Sequence, residues 1–222
     1  MKRIAVIMAH PDDEVLGCGA TLARYAREGA EISILILATG LTSRGTASEA
    51  EIESLQEQAK AAGCILGASL VEFAGFPDNA MDTVSLLEVI KCVEGFAKKT
   101  NPDVIFTHHN GDINIDHDVT QRAVLTAFRP LPGSKEREIF ACNVLSSSEY
   151  GRSDRRPRPD CYVALQEEDV DAAVAALECY SGEIRQWPHP RSSAAIRYQA
   201  RLFGAECGRD YAQVFEVLRL TR

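Results

Sequence analysis

Apolar residues run almost unbroken through five short stretches, at positions 3–9, 31–38, 69–73, 104–107 and 139–145, each rich in branched aliphatic side chains. A strand that is apolar at consecutive positions is buried on both faces, as in a parallel sheet covered by helices. Strict alternation would instead mark a sheet wet on one side. Between these stretches, apolar residues recur at helical spacing over 14–28, 48–66, 83–99 and 119–128. The alternation predicts an α/β fold with a mainly parallel sheet and helices on both faces. Gly29 and Gly63 fall where the first two helices should end, and Asn101-Pro102-Asp103 is a turn into the next strand. An Arg-, Ser- and Pro-rich segment, 150–160, reads as a surface loop. After it come a short strand at 161–165, helices at 168–181 and 191–207, and a last strand at 212–218. Nothing repeats, and one domain over 1–222 is expected.

Composition narrows the picture in a few places. The chain has 222 residues, 45% hydrophobic and 25% charged, so it can bury a core without disulfides or a structural metal. A metal here would therefore serve chemistry first. The formal charge of −8, from 24 basic and 32 acidic residues, opposes phosphate-backbone binding and excludes nucleic acid as the expected partner. Arg152, Arg155, Arg156 and Arg158 read as a solvated loop. The seven cysteines form no CxxC pair, which suits small buried residues in a reducing compartment. The apolar start of the chain meets an acidic cluster too early for a signal peptide, and no run is long enough to span a membrane. A cytoplasmic protein is expected.

The chemistry begins where the first strand stops. Ile4–Ala9 is followed at once by His10-Pro11-Asp12-Asp13-Glu14. In a Rossmann-like sheet, ligands bind beyond the carboxyl ends of the strands, so this exit places an imidazole and three carboxylates at the favoured position. Pro11 stiffens the turn. His10 and Asp13, three apart across it, can reach one ion, and imidazole with carboxylate suits Zn2+. Helix capping by Asp12 or Asp13 would explain one carboxylate, but not three beside a histidine. Gly17 and Gly19 follow the carboxylates, which would repel a pyrophosphate, so a dinucleotide loop is disfavoured.

A second cluster follows the fourth strand. His108-His109-Asn110-Gly111-Asp112-Ile113-Asn114-Ile115-Asp116-His117 holds three of the five histidines. His117 opens a helix, and Asp116 beside it can orient an imidazole behind the metal. A catalytic zinc takes three protein ligands and keeps one position open. His10, Asp13 and His117 complete that count. At least one of His108 and His109 should point to the sheet edge or to solvent. The loop after the second strand should border the same crevice, where Arg44 could hold sugar hydroxyls or a phosphate. That strand ends Ala38-Thr39-Gly40, without the acidic residue a nucleotide-binding oxidoreductase would want.

The HPDDE motif of residues 10–14 and Asn114-Ile115-Asp116-His117 resemble the LmbE / PIG-L family of metal-dependent N-deacetylases. The resemblance continues through Phe76-Pro77-Asp78, Arg129-Pro130, Ser146–Glu149, Pro188-His189-Pro190-Arg191-Ser192 and Tyr211–Phe215. It implies zinc-dependent hydrolysis of an N-acetyl group on an amino sugar or glycoconjugate, with Asp12 as general base and a homo-oligomeric assembly. Glu14 would support the helix start. Two departures stand out. Asn114 occupies a position where many relatives carry a histidine, leaving the oxyanion donor open and Asn114 as a substrate contact. Gln213 stands where a glutamate is common. His189, in a stiff segment between prolines, is expected to supply the missing donor. The alternatives are hydrolysis of another N-acylated small molecule, or a nucleotide- or sugar-binding module without catalysis.

Overall fold

The computed structural model describes residues 1–221 apart from 42–44, 46, 152, 153 and 155. Arg44 lies outside the described residues. The five apolar stretches form strands β1 (Arg3–Met8), β2 (Glu31–Ala38), β3 (Ala68–Phe76), β4 (Val104–His108) and β5 (Glu138–Cys142), joined in later sequence by β6 (Cys161–Leu165) and β7 (Tyr211–Arg219). They make one sheet in the order β3-β2-β1-β4-β5-β7-β6. The first five run parallel, and β7 pairs antiparallel with both β5 and β6. The parallel part is the Rossmann-like sheet the sequence predicts, with a mixed edge added by the C-terminal third.

Burial on both faces explains the unbroken apolar runs. Ile4, Val6 and Met8 of β1 pack into one core with helices α1 (Asp13–Arg27), α2 (Glu49–Ile65), α5 (Glu167–Glu178) and α6 (Ser193–Cys207). The alternate residues Ala5 and Ile7 face a second core with α3 (Leu86–Thr100) and α4 (Ile115–Ala127). The strand order reverses at β1, which lies between β2 and β4. A crevice opens beyond strand ends at such a reversal, and both chemical clusters of the sequence leave from those two ends.

Three readings need correction. Gly63 does not end α2: it lies inside the helix, where an added Cβ would sit 2.7 Å from Val71 Cγ2. The terminating glycine is Gly67, at φ +78°, one residue past Leu66. Of the seven cysteines, all free, only Cys18 and Cys142 are buried. Finally, α4 begins at Ile115 rather than near 119, because Asn114 caps it by accepting the Asp116 N–H at 2.9 Å. Among the described residues, no helix is long and apolar enough to cross a membrane.

Candidate active site

The turn after β1 is built on an unusual backbone. Asp12 sits at φ 96°, ψ −24°, a left-handed conformation for a residue with a Cβ. It occupies the N-cap of α1, yet its side chain makes no capping hydrogen bond. Strain of this kind, of order 1–3 kcal/mol, persists only where surroundings enforce it, and it gathers at functional sites. The enforcing groups are visible. Glu14, fully buried, accepts the Asp12 N–H at 3.1 Å through Oε2 and the Tyr180 hydroxyl at 2.5 Å through Oε1. Gly40, at φ +80°, lies against Pro11, where an added Cβ would come within 2.7 Å of the ring. Burial raises the Glu14 carboxyl to about 7, even against the Tyr180 hydrogen bond.

His10, Asp13 and His117 converge. Asp13 Oδ2 lies 3.3 Å from His10 Nδ1 and 3.3 Å from His117 Nε2, and one ligand atom from each residue lies within 4.8 Å of the others. A tetrahedral zinc with bonds of about 2.0–2.1 Å separates its ligands by about 3.3 Å, so these spacings fit that ion. His117 is buried, with Nε2 turned toward Asp13. Burial would raise Asp13, but His117 and the hydrogen-bonding His10 hold it well below the carboxylate range. Burial would lower His117; Asp13 and Asp112 together lift it to about 9.

The outer nitrogens of both imidazoles face carboxylates. His10 Nε2 meets Asp116 Oδ2 at 3.0 Å and Asp78 Oδ1 at 3.2 Å. His117 Nδ1 meets Asp112 Oδ2 at 3.0 Å. Asp116, adjacent to His117 in sequence, thus serves His10, and its carboxylate is fixed by the N–H groups of Asn79 and Met81 at 2.6 and 2.9 Å. Asp112, which sequence reasoning passed over, accepts the Ser147 hydroxyl, the Ser148 hydroxyl at 3.1 Å and the Asn114 N–H at 3.0 Å. Burial would raise Asp112, but His117 and Ser147 hold it at about 2.

His108 is close to the cluster but differently employed. It stacks on His117 at 3.7 Å between ring centroids, and its Nε2 accepts the Ala9 N–H at 2.8 Å. That lone pair is taken, and burial lowers the imidazole to about 3, so His108 is neutral. His109 is also buried, with Nε2 3.1 Å from Glu216 of β7. Neither faces solvent, because β7 covers this end of β4's neighbour β5.

A crevice of about 90 Å³ opens beside the cluster, lined by His10, Asp12, Gly40, Asp78, Asn79, Asn114, Glu183 and Arg191 among others. Asn114 reaches it with a committed side chain: Oδ1 caps α4 and Nδ2 donates to Asn79 Oδ1 at 2.8 Å. His189 does not reach it. That imidazole is exposed, and its Nδ1 accepts the Arg191 N–H at 3.0 Å. The turn that holds it, with His189 N–H on Gln186 O at 3.0 Å, aims the ring outward. The segment's inward residue is Arg191, whose Nε lies 3.5 Å from Asp12 Oδ2 and whose Nη1 pairs with Glu183. Burial raises the Asp12 carboxyl well above its ordinary value against the opposing pull of Arg191.

Fold and site together define an α/β protein with an imidazole–carboxylate cluster, able to hold a metal ion, in a crevice at the reversal of a parallel sheet. Residues 5–128, more than half of the 222, match the family model described as PIG-L: GlcNAc-PI de-N-acetylase, and the chain belongs to this family. It is 35% identical over 136 residues to "Uncharacterized deacetylase YaiS" of Escherichia coli (strain K12), covering 59% of this chain and 70% of the relative. It is 26% identical over 219 residues to a 1D-myo-inositol 2-acetamido-2-deoxy-alpha-D-glucopyranoside deacetylase of Rhodococcus erythropolis, covering 78% and 74%. GalB, the 4-carboxy-2-hydroxymuconate hydratase of Pseudomonas putida KT2440, shares the fold over 100% of this chain and 99% of its own, with a TM-score of 0.78 at 22% identity. The fold thus hosts more than one reaction, and the argument for activity belongs to the site.

Proposed function

We propose that the protein is a metal-dependent N-deacetylase that hydrolyses the acetamido group of an amino-sugar substrate. The observation that carries this reading is the pairing of a three-residue ligand set, His10, Asp13 and His117, with a carboxylate, Asp12, held beside it in a strained turn and directed away from capping. The deacetylase relatives support the substrate class. The nitrogen and oxygen donors and their spacing suit zinc. Bound there, zinc would polarise the amide carbonyl and acidify water.

The chain's own residues supply the rest. Asp12 takes a proton from the attacking water and returns it to the departing amine, a poor leaving group until protonated. Asp112 and Asp116 keep the two imidazoles turned so that His117 Nε2 and His10 Nδ1 face Asp13. Asn79 and Asn114 border the crevice and would meet the acetamido group, and Arg44, which follows β2 in sequence, would hold sugar hydroxyls or a phosphate. His189 is reserved for the outer rim, where it can meet only a larger substrate or a neighbouring subunit. The test is a panel of N-acetylated free sugars, glycosides and nucleotide sugars, assayed for acetate and amine release. Release should vanish on chelation and return with zinc. Hydration of an unsaturated acid with no acetate release from any amide would overturn the proposal.

A further inference from the structure

The segment around residues 182–192 contributes to the crevice by a route the motifs do not announce. It folds back on itself: the Arg185 N–H donates to Arg191 O at 2.8 Å, and the Arg191 N–H donates to His189 Nδ1 at 3.0 Å. Immediately after Arg191, Ser192 caps α6 by accepting the Ala195 N–H at 3.1 Å. The backbone of Arg191 is therefore fixed on both sides, and its guanidinium is carried inward at the base of the loop while Trp187 and His189 remain at the exposed tip.

Inside, the guanidinium is divided between two carboxylates. Its Nη1 pairs with Glu183, which is only 6% exposed, and its Nε edge faces Asp12 Oδ2 at 3.5 Å. Asp12 is 2% exposed, and its Oδ2 accepts no hydrogen bond. A polar group so buried calls for a partner beside it. Arg191 is the only arginine or lysine among the described crevice residues. A guanidinium is planar and presents its donors in a rigid fork, so anchoring one arm on Glu183 sets the direction of the Nε–H.

Resting on the deacetylase reading, we propose that Arg191, clamped by Glu183, is a positioning residue that aims the Asp12 carboxylate at the water and the leaving amine. The contact runs from Nε to Oδ2 of the base at 3.5 Å. The assignment also gives the prolines around His189 a purpose: they stiffen a loop whose working residue is two positions further on.

The experiment uses the zinc-loaded full chain and compares wild type with Arg191→Ala, Arg191→Lys and Glu183→Gln. Zinc content, thermal midpoint, kcat and KM are measured on the best N-acetylated sugar of the panel. Misplacing a catalytic group by about 1 Å can reduce rate a hundredfold. Arg191→Ala should therefore retain zinc and lose about a hundredfold in kcat, with KM changing much less. Glu183→Gln should fall between it and wild type. Because the alanine variant leaves two carboxylates without their shared cation, Arg191→Lys guards against a simple folding defect. Added guanidinium ion, at concentrations that leave the wild type unaffected, should restore turnover to Arg191→Ala. A merely structural arginine would not give that rescue. Wild-type kcat in zinc-replete Arg191→Ala, or a loss explained wholly by lost zinc, would overturn the inference while leaving the deacetylase reading intact. A wild type inactive on every amide would overturn both.

Discussion

Replacing Asp112 with asparagine should weaken zinc binding without unfolding the protein. The carboxylate serves four neighbours at once: the Ser147 hydroxyl and Asn114 N–H on Oδ1, and the Ser148 hydroxyl and His117 Nδ1 on Oδ2. An amide offers one oxygen and one NH2. If the oxygen stays toward Ser147 and Asn114, the NH2 faces His117 Nδ1, which must then accept. That forces the imidazole proton onto Nε2, the atom directed at the metal position. If the amide turns round, the NH2 meets the Asn114 N–H, donor against donor. Either way one arrangement needed for coordination is lost. Loss of such a partner behind a ligating histidine reduces metal affinity about ten- to a hundredfold, or about 1.4–2.8 kcal/mol. Competition against a chromogenic chelator at fixed pH would measure it, with the thermal midpoint of the metal-free variant as control. Wild-type zinc affinity in Asp112→Asn would refute the reasoning.

Tyr180→Phe removes the hydroxyl that Glu14 Oε1 accepts and leaves a fully buried carboxyl short of a partner; denaturant unfolding should show a loss of about 1–3 kcal/mol. Since Glu14 also holds the Asp12 N–H, the variant should lose activity more than its stability alone explains. In metal-free protein, His117 is raised to about 9 by its carboxylates, against about 6.5 when unfolded. A raised histidine contributes stability fully below about pH 6.5 and loses it as pH rises through about 9. The thermal midpoint of chelated protein should therefore fall across that window, while zinc-loaded protein, whose imidazole carries a ligand instead of a proton, should change less. A chelated protein that gains stability between pH 6.5 and 9 would contradict the assignment.

The parts of the fold written in local pattern were readable in advance. Residues 34–38 are apolar throughout because β2 is covered on both sides, and the helices around Leu16 and Val93 declare their buried faces by spacing. The ligand triad was legible because two short motifs leave adjacent strand ends, which the reversal of order at β1 brings together. What failed depends on tertiary partners. Asp116 was expected near its sequence neighbour, yet consecutive residues on a helix point about 100° apart, so it serves His10 while the upstream loop residue Asp112 serves His117. In sequence Arg191 reads as the start of α6, and His189 stands out because an imidazole between prolines is conspicuous. The available signal was a charged residue set directly before a serine N-cap, in a segment too stiff to wander. Glu183 and Tyr180 carried no local signal, because their partners lie more than 160 residues away in the chain or on the same folded-back loop.

The account rests on Asp12 being the base and not a ligand or a cap. Asp12→Asn is nearly isosteric and leaves the His10, Asp13 and His117 atoms untouched. Zinc content by elemental analysis, taken on the same sample as acetate release, should show a full complement of metal. Turnover should be reduced about a hundred- to ten-thousandfold, the usual contribution of a general base. Normal turnover by fully metallated Asp12→Asn, or loss of zinc in step with loss of activity, would contradict it.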